Sequence, residues 1–281
     1  MSEKIVVGVI DAQESRRVID WAVSRAQTRG QSIELLSVVG GAVGMVGEGI
    51  VIQTALETTE RILAEAAGSI RVPNLPVTTR VAMGDPAGVL VEASKDAALL
   101  VIGSDYRGPG EGPARGSHGI RIAAAAECPV VVVPDFDLGD DRHGVVVGVD
   151  GSPVSEAAIA FAAAEADRLG EPLTAVIVWT PITAPRHALM VDLEDYREGM
   201  EQAAHEALAL SLAGLHSRYP GIEIIEAVAQ GYPSQVINEL ASEARLTVVG
   251  SRGRGAVRRF LLGSIGHEVL QRLASVTAIV R

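Results

Sequence analysis

The stretch GSRGRGAVRRFLLGS, residues 250–264, holds residue types that together can grip a phosphate. Gly250 and Gly253 stand two residues apart, and Gly263 and Ser264 follow after nine more. Glycines let a backbone take left-handed angles and come close to an anion, offering successive N–H groups to its oxygens. Ser264, followed by Ile265, falls at the expected start of the last helix, whose unpaired N–H groups and dipole favour a phosphate oxygen. Arg252, Arg254, Arg258 and Arg259 cluster in the same loop. A second segment, GVDGSPVS, puts Asp150 just past an apolar run, where its carboxylate can accept hydrogen bonds from a ribose hydroxyl. Asp-Gly is also an ordinary turn pair, and Ser264 an ordinary helix cap.

Other clusters point to less chemistry. Ser264 and His267 lie three apart, but no G-x-S-x-G elbow surrounds the serine. Asp192, Glu194, Asp195, Glu198 and Glu201 read as the acidic start of a helix, where they complement the dipole. His205 and His216 lack a metal-ligand pattern, and Cys128 before Pro129 reads as a small buried residue.

These segments need rigid elements to hold them. IVVGV, a helix over about 14–29, SIELLSVV, a helix over about 54–67, VTTRVAM, a short helix after Pro86, LLVIG, a helix after Gly116 and VVVV follow in order. Runs apolar at consecutive positions suit strands buried on both faces, and their alternation with helices predicts a parallel sheet with right-handed crossovers. The pattern then recurs. Gly8 falls on Gly148 and Ser15 on Ser155; further on, Gly84 falls on Gly231, Pro86 on Pro233 and Gly103 on Gly250. The offset grows between the two sets, which implies a short insertion in the second copy near 194–217. The fold class is therefore α/β, two tandem doubly wound five-stranded parallel-sheet domains over 1–134 and 144–281, with the polar segment DFDLGDDRH as a linker. In such sheets ligands bind beyond the carboxyl ends of the strands, where strand order reverses. The last strands, 130–133 and 277–280, are apolar edges expected to pair with each other within the chain, or between two chains in a homodimer.

Composition narrows the function. A net charge of −11 disfavours nucleic acid and anionic membranes as partners. Lys4 and Lys95 are the only lysines, so a Walker A loop is excluded and phosphate binding falls to backbone N–H groups and arginine. One cysteine excludes an internal disulfide, and the amino end carries no signal-peptide pattern, so a cytoplasmic protein is expected.

The chain resembles the universal stress protein family, in its tandem, ATP-binding form. The resemblance rests on Gly250, Gly253, Gly263 and Ser264 in a G-x2-G-x9-G-[ST] loop, on GVDGSPVS, and on the duplicated five-strand pattern. It implies a stress-response regulator that binds ATP or another adenine nucleotide, with or without Mg2+, its adenine contact at Val178 and its ribose contact at Asp150. Weak ATP hydrolysis or autophosphorylation is compatible with it, as is a scaffold that needs no nucleotide. The first copy reads as a degenerate site. Ile10 falls where the second copy has Asp150, with Asp11 one residue on, and Tyr106 falls on Gly253. Gly103, Gly116 and Ser117 keep the frame of its loop.

Overall fold

The computed structural model describes residues 3–40, 48–104, 117–139, 141–181, 193–253 and 262–281. The chain divides into two compact units, Met1–Phe136 and Asp137–Arg281. The first carries β1 (Lys4–Gly8), α1 (Arg16–Arg29), β2 (Ser32–Val39), α2 (Glu48–Ser69), β3 (Val77–Met83), α3 (Pro86–Ala93), β4 (Leu99–Gly103), α4 (Ser117–Ala125) and β5 (Val130–Val133). The second repeats the order with β6 (Val145–Val149), α5 (Pro153–Leu169), β7 (Leu173–Trp179), α6 (Leu193–Ser211), α7 (Leu215–Arg218), β8 (Ile224–Gln230), α8 (Pro233–Ala241), β9 (Leu246–Gly250), α9 (Ser264–Gln271) and β10 (Val276–Val280). Helix α7 has no counterpart in the first unit and lies where the growing offset requires extra residues.

Each unit is the doubly wound parallel sheet that the apolar runs predict. Strand order is β3-β2-β1-β4-β5 in the first and β8-β7-β6-β9-β10 in the second. The central strands are clamped on both sides: Ile5 pairs with Ile33 and Leu99, and Val145 with Leu173 and Leu246. Ile5, Ile33, Leu99, Val145, Leu173 and Leu246 are at most 1% exposed, so the sheet cores are aliphatic, as the shortage of aromatics demanded. Strand order reverses between β1 and β4, and again between β6 and β9. The chain ends that leave β6 and β9 therefore lie side by side.

Local signals set the helix that leaves β6. Ser152 caps α5 by accepting from the Ser155 N–H at 3.2 Å, and Pro153 opens the helix where its missing N–H costs nothing. Gly170 ends it at φ 66°, a left-handed angle that other residues adopt only under strain.

The segment expected as a linker is not free. From Asp137 onward it belongs to the second unit, and Arg142 is the reason. Its guanidinium donates to the Leu138 carbonyl at 2.6 Å, to the Ala241 carbonyl at 3.2 Å and to the Ala274 carbonyl, tying the segment to the ends of α8 and α9. Burial pushes its pKa down. Replacing Arg142 with Ala removes these three bonds, and a loss of roughly 1–3 kcal/mol is expected, the cost of leaving part-buried carbonyls unpaired. Urea unfolding of the variant should show a lower midpoint.

A charged triad ties together the first three strands of the first unit. Glu34 on β2 is bound by Lys4 at 2.5 Å and by Arg80 from β3. Burial pushes the Glu34 carboxyl up, but hydrogen bonds from Lys4 and Arg80 outweigh it and hold the net value below the usual range. A carboxyl lowered by folding stabilises the fold above its unfolded pKa, and that contribution disappears as pH falls through the folded value. The Glu34→Gln variant should therefore lose less stability than the parent on acidification below about pH 4, near the ordinary Glu pKa. Urea midpoints measured across that range test it.

Candidate functional site

At the carboxyl ends of β6 and β9 a cavity of about 400 Å³ opens in the second unit. One wall is the turn after β6. Asp150 is half-buried there, its backbone N–H donating to Ser155 Oγ at 3.2 Å and its Oδ1 accepting from the Ser152 N–H at 2.9 Å. The first bond draws the turn back onto α5, and the second orients the carboxylate. Val149, Val176, Val178 and Ile237 supply apolar surface, and Gly250, Arg252 and Gly253 the opposite rim.

The loop that leaves β9 is pinned at both ends. Ser251 N–H donates to the Val280 carbonyl at 2.6 Å, and Gly263 N–H to the Ser251 carbonyl at 2.8 Å. Gly263 therefore closes the loop and takes the cap position of α9, so that Ser264 is the first helical residue and not the cap. The first intrahelical bond runs from His267 N–H to the Gly263 carbonyl at 2.9 Å. A helix start leaves its first N–H groups without intrahelical acceptors. Ser264, Ile265 and Gly266, which carry such groups, line the cavity. Ser251 Oγ, buried within the same loop, has no hydrogen-bond partner among the described residues.

Gly253 departs from expectation in a useful way. Its φ is not left-handed, so backbone strain does not demand glycine here. Space does: a Cβ at 253 would stand 2.5 Å from Asp150 Oδ2. At Gly250 a Cβ would stand 3.0 Å from both the Arg252 carbonyl oxygen and Val154 Cγ1, and at Gly148 one would stand 2.9 Å from Ile237 Cδ1. Bare backbone is what lets the two strand ends and α8 crowd around one cavity.

Of the residues singled out in the second copy, Asp150, Val178, Gly250, Arg252, Gly253, Gly263, Ser264 and Ile265 line this one cavity. Arg254, Arg258 and Arg259 lie outside the described residues. Sequence reasoning did not assign Val176, Pro233 and Ile237 to the site. Valine and isoleucine there look like any other core residue, and only Pro233, matched to Pro86 in the repeat, carried a signal.

In the first unit the turn keeps its frame and changes its tip. Ile10 N–H donates to Ser15 Oγ at 3.0 Å, the counterpart of the Asp150–Ser155 bond. Ile10 is 73% exposed, however, and offers no acceptor side chain. Asp11 does not replace one: its Oδ1 accepts from the Gln13 and Glu14 N–H groups at 2.8 and 3.4 Å. Gly103 ends β4, and Ser104 N–H donates to the Val133 carbonyl at 2.9 Å as Ser251 does to Val280. Ser117 opens α4, while Tyr106 and Gly116 lie outside the described residues.

The chain is thus an α/β protein of two Rossmann-like domains in tandem, and in the second of them Asp150 and Gly253 meet at the switch point. The chain belongs to the universal stress protein family, whose model matches residues 1–134 and again 142–281. It is 32% identical to a universal stress protein of Mycolicibacterium smegmatis over 99% of this chain and 96% of that one. One from Mycobacterium tuberculosis is likewise 32% identical, over 98% and 96%. Among solved structures, a universal stress protein from Archaeoglobus fulgidus matches with a TM-score of 0.68 at 21% identity, covering 99% of this chain and 98% of that one, a likeness of fold. Among the described residues no helix is long and apolar enough to cross a membrane.

The contact between positions 253 and 150 yields a direct test of the geometry. The Gly253→Val substitution should displace the Asp150 carboxylate while leaving the sheets intact, because position 253 lies in a loop. Nuclear magnetic resonance should show shifts concentrated at residues 150–155 and 250–253 with the other strands unmoved.

Proposed function

We propose that the second unit binds an adenine nucleotide, ATP or a close relative, and that the protein acts as a nucleotide-responsive regulator in the stress response. The observation that carries this reading is the meeting of Asp150 with Gly253 at the switch point of β6 and β9. Asp150 supplies an acceptor for ribose hydroxyls, and Val149, Val176, Val178 and Ile237 give a flat base apolar surface to lie on. Arg252, bare backbone at Gly250 and Gly253, and the open start of α9 suit phosphates. The buried hydroxyl of Ser251, without a partner among the described residues, is a further group that a phosphate oxygen would satisfy. Among the described residues no cluster of three His, Cys, Asp or Glu could hold a metal, so a Mg2+ ion would be carried by the phosphates, with Asp150 as the carboxylate in the cavity wall.

The reading extends to inequality between the units. A hydrogen bond to a charged group is worth roughly 1.5–3 kcal/mol. Losing it at Ile10 should weaken the first site by about tenfold to a hundredfold relative to the second. Mass spectrometry of nucleotide released from freshly purified protein should find an adenine nucleotide, and calorimetric titration of stripped protein should show one tight site per chain. Absence of any released nucleotide, together with a melting temperature unmoved by ATP, ADP, AMP or cyclic AMP, overturns the reading, because a ligand of the folded state must stabilise it. Steady phosphate release abolished by Ser264→Ala would instead favour a slow ATPase.

A further inference from the structure

We infer that Ser234 and Glu268 form a clasp that sets the span of the candidate nucleotide cavity, with Glu268 as a positioning residue that need not touch the ligand. This inference rests on the nucleotide reading above. Ser234 lies in the first turn of α8 and Glu268 in the second turn of α9, and the Ser234 hydroxyl donates to Glu268 Oε2. Their immediate neighbours form two rims of the cavity. Pro233 and Ile237 on α8 line one side, and Ser264, Ile265 and Gly266 on α9 line the other. Neither Ser234 nor Glu268 lines it.

The two helices are held in different ways. Helix α8 is seated on the sheet, since Ile237 Cδ1 occupies the space beside Gly148 where a Cβ would come within 2.9 Å. Helix α9 starts at the loop closed by Gly263 and buries Gly266, Val269 and Leu270. A bond between them fixes how far the open N–H groups of α9 stand from the apolar wall of α8. The bond is charge-assisted and so among the stronger kinds. Asn238 Oδ1, one turn along the helix that carries Ser234, is buried with no hydrogen-bond partner among the described residues, while the Ser234 hydroxyl reaches across to Glu268.

The first unit shows that the fold does not need this bond. Helices α3 and α4 pack together as α8 and α9 do. The counterparts of Ser234 and Glu268 there are Ala87 and Arg121, which cannot make it. Arg121 instead reaches Asp85 at 3.3 Å, with both side chains more than half exposed, and such exposed pairs hold little. The clasp, buried on its Ser234 side, thus accompanies the copy that has Asp150, and is missing from the copy that has Ile10.

Titration calorimetry with ATP on the full-length parent, Ser234→Ala, Glu268→Ala, the double variant and Glu268→Gln tests the clasp. Each alanine variant should weaken ATP binding by about threefold to tenfold, the double variant no further, and Glu268→Gln, whose amide oxygen can still accept, by less than about twofold. A purely structural role would lower the urea midpoint of the free protein and leave the affinity of the folded fraction unchanged. Alanine variants that bind ATP as the parent does, or a double variant that loses the sum of the single effects, overturn the clasp. Should Glu268→Ala not fold, Ser234→Ala decides alone, because alanine already occupies the counterpart position in the first unit. A parent that binds no adenine nucleotide fails at the first titration and removes the nucleotide reading itself, and the clasp's role in binding with it.

Discussion

The approach of the Gly253 backbone to the Asp150 carboxylate is the contact around which the second unit is arranged. Two chain segments far apart in sequence reach each other only because β6 and β9 are neighbouring parallel strands. Parallel pairing makes both strands end on the same side of the sheet, so their exits share one crevice. Ser155 then draws the Asp150 turn back onto α5, and Gly263 closes the β9 loop onto Ser251. Any side chain larger than hydrogen at position 253 would collide with the acid. The site is thus a packing constraint before it is a chemical one.

The two units show how a frame persists while chemistry is lost. Strand order, the serine that accepts from the turn, and the bond that anchors the segment after the fourth strand occur in both. These features fold the backbone and tolerate no easy replacement. The tip of the turn bears no such load, and there an acid in one unit is an exposed isoleucine in the other. Glu34, buried on β2 and held by Lys4 and Arg80, ties β1 to β3 together instead of facing a ligand. Duplication left one unit with the acid and clasp at its switch point and the other with the same scaffold without them.

Net charge works at two scales. A chain of −11 repels polyanions at long range, yet screening confines that field to about 10 Å at ordinary salt, and a small anion feels chiefly the groups that line its crevice. Arg252 and the open start of α9 face the cavity, while Asp150 is engaged by a backbone N–H on one oxygen. Local geometry, not the overall balance of charge, decides whether an anion can bind.

What the amino-acid sequence determined by itself was the periodic part: apolar runs that had to be buried strands, the repeat, and a glycine spacing legible because both loop ends are marked. Asp150 and Gly253 are among the cavity-wall residues that type and spacing could name, whereas Val178 came only through the family resemblance. Only the tertiary structure decided why Gly253 is glycine, since steric demand from a distant carboxylate leaves no trace in local sequence and its φ is unexceptional. It also decided that Val176 and Ile237 face a cavity, because an aliphatic side chain reads the same whether it meets core or crevice. The same holds for Arg142, which in sequence is one charge in a polar stretch and in space gathers three carbonyls from three segments. Periodicity is a property of neighbours along the chain, whereas contacts across a sheet or between helices depend on which strands and helices come to lie side by side.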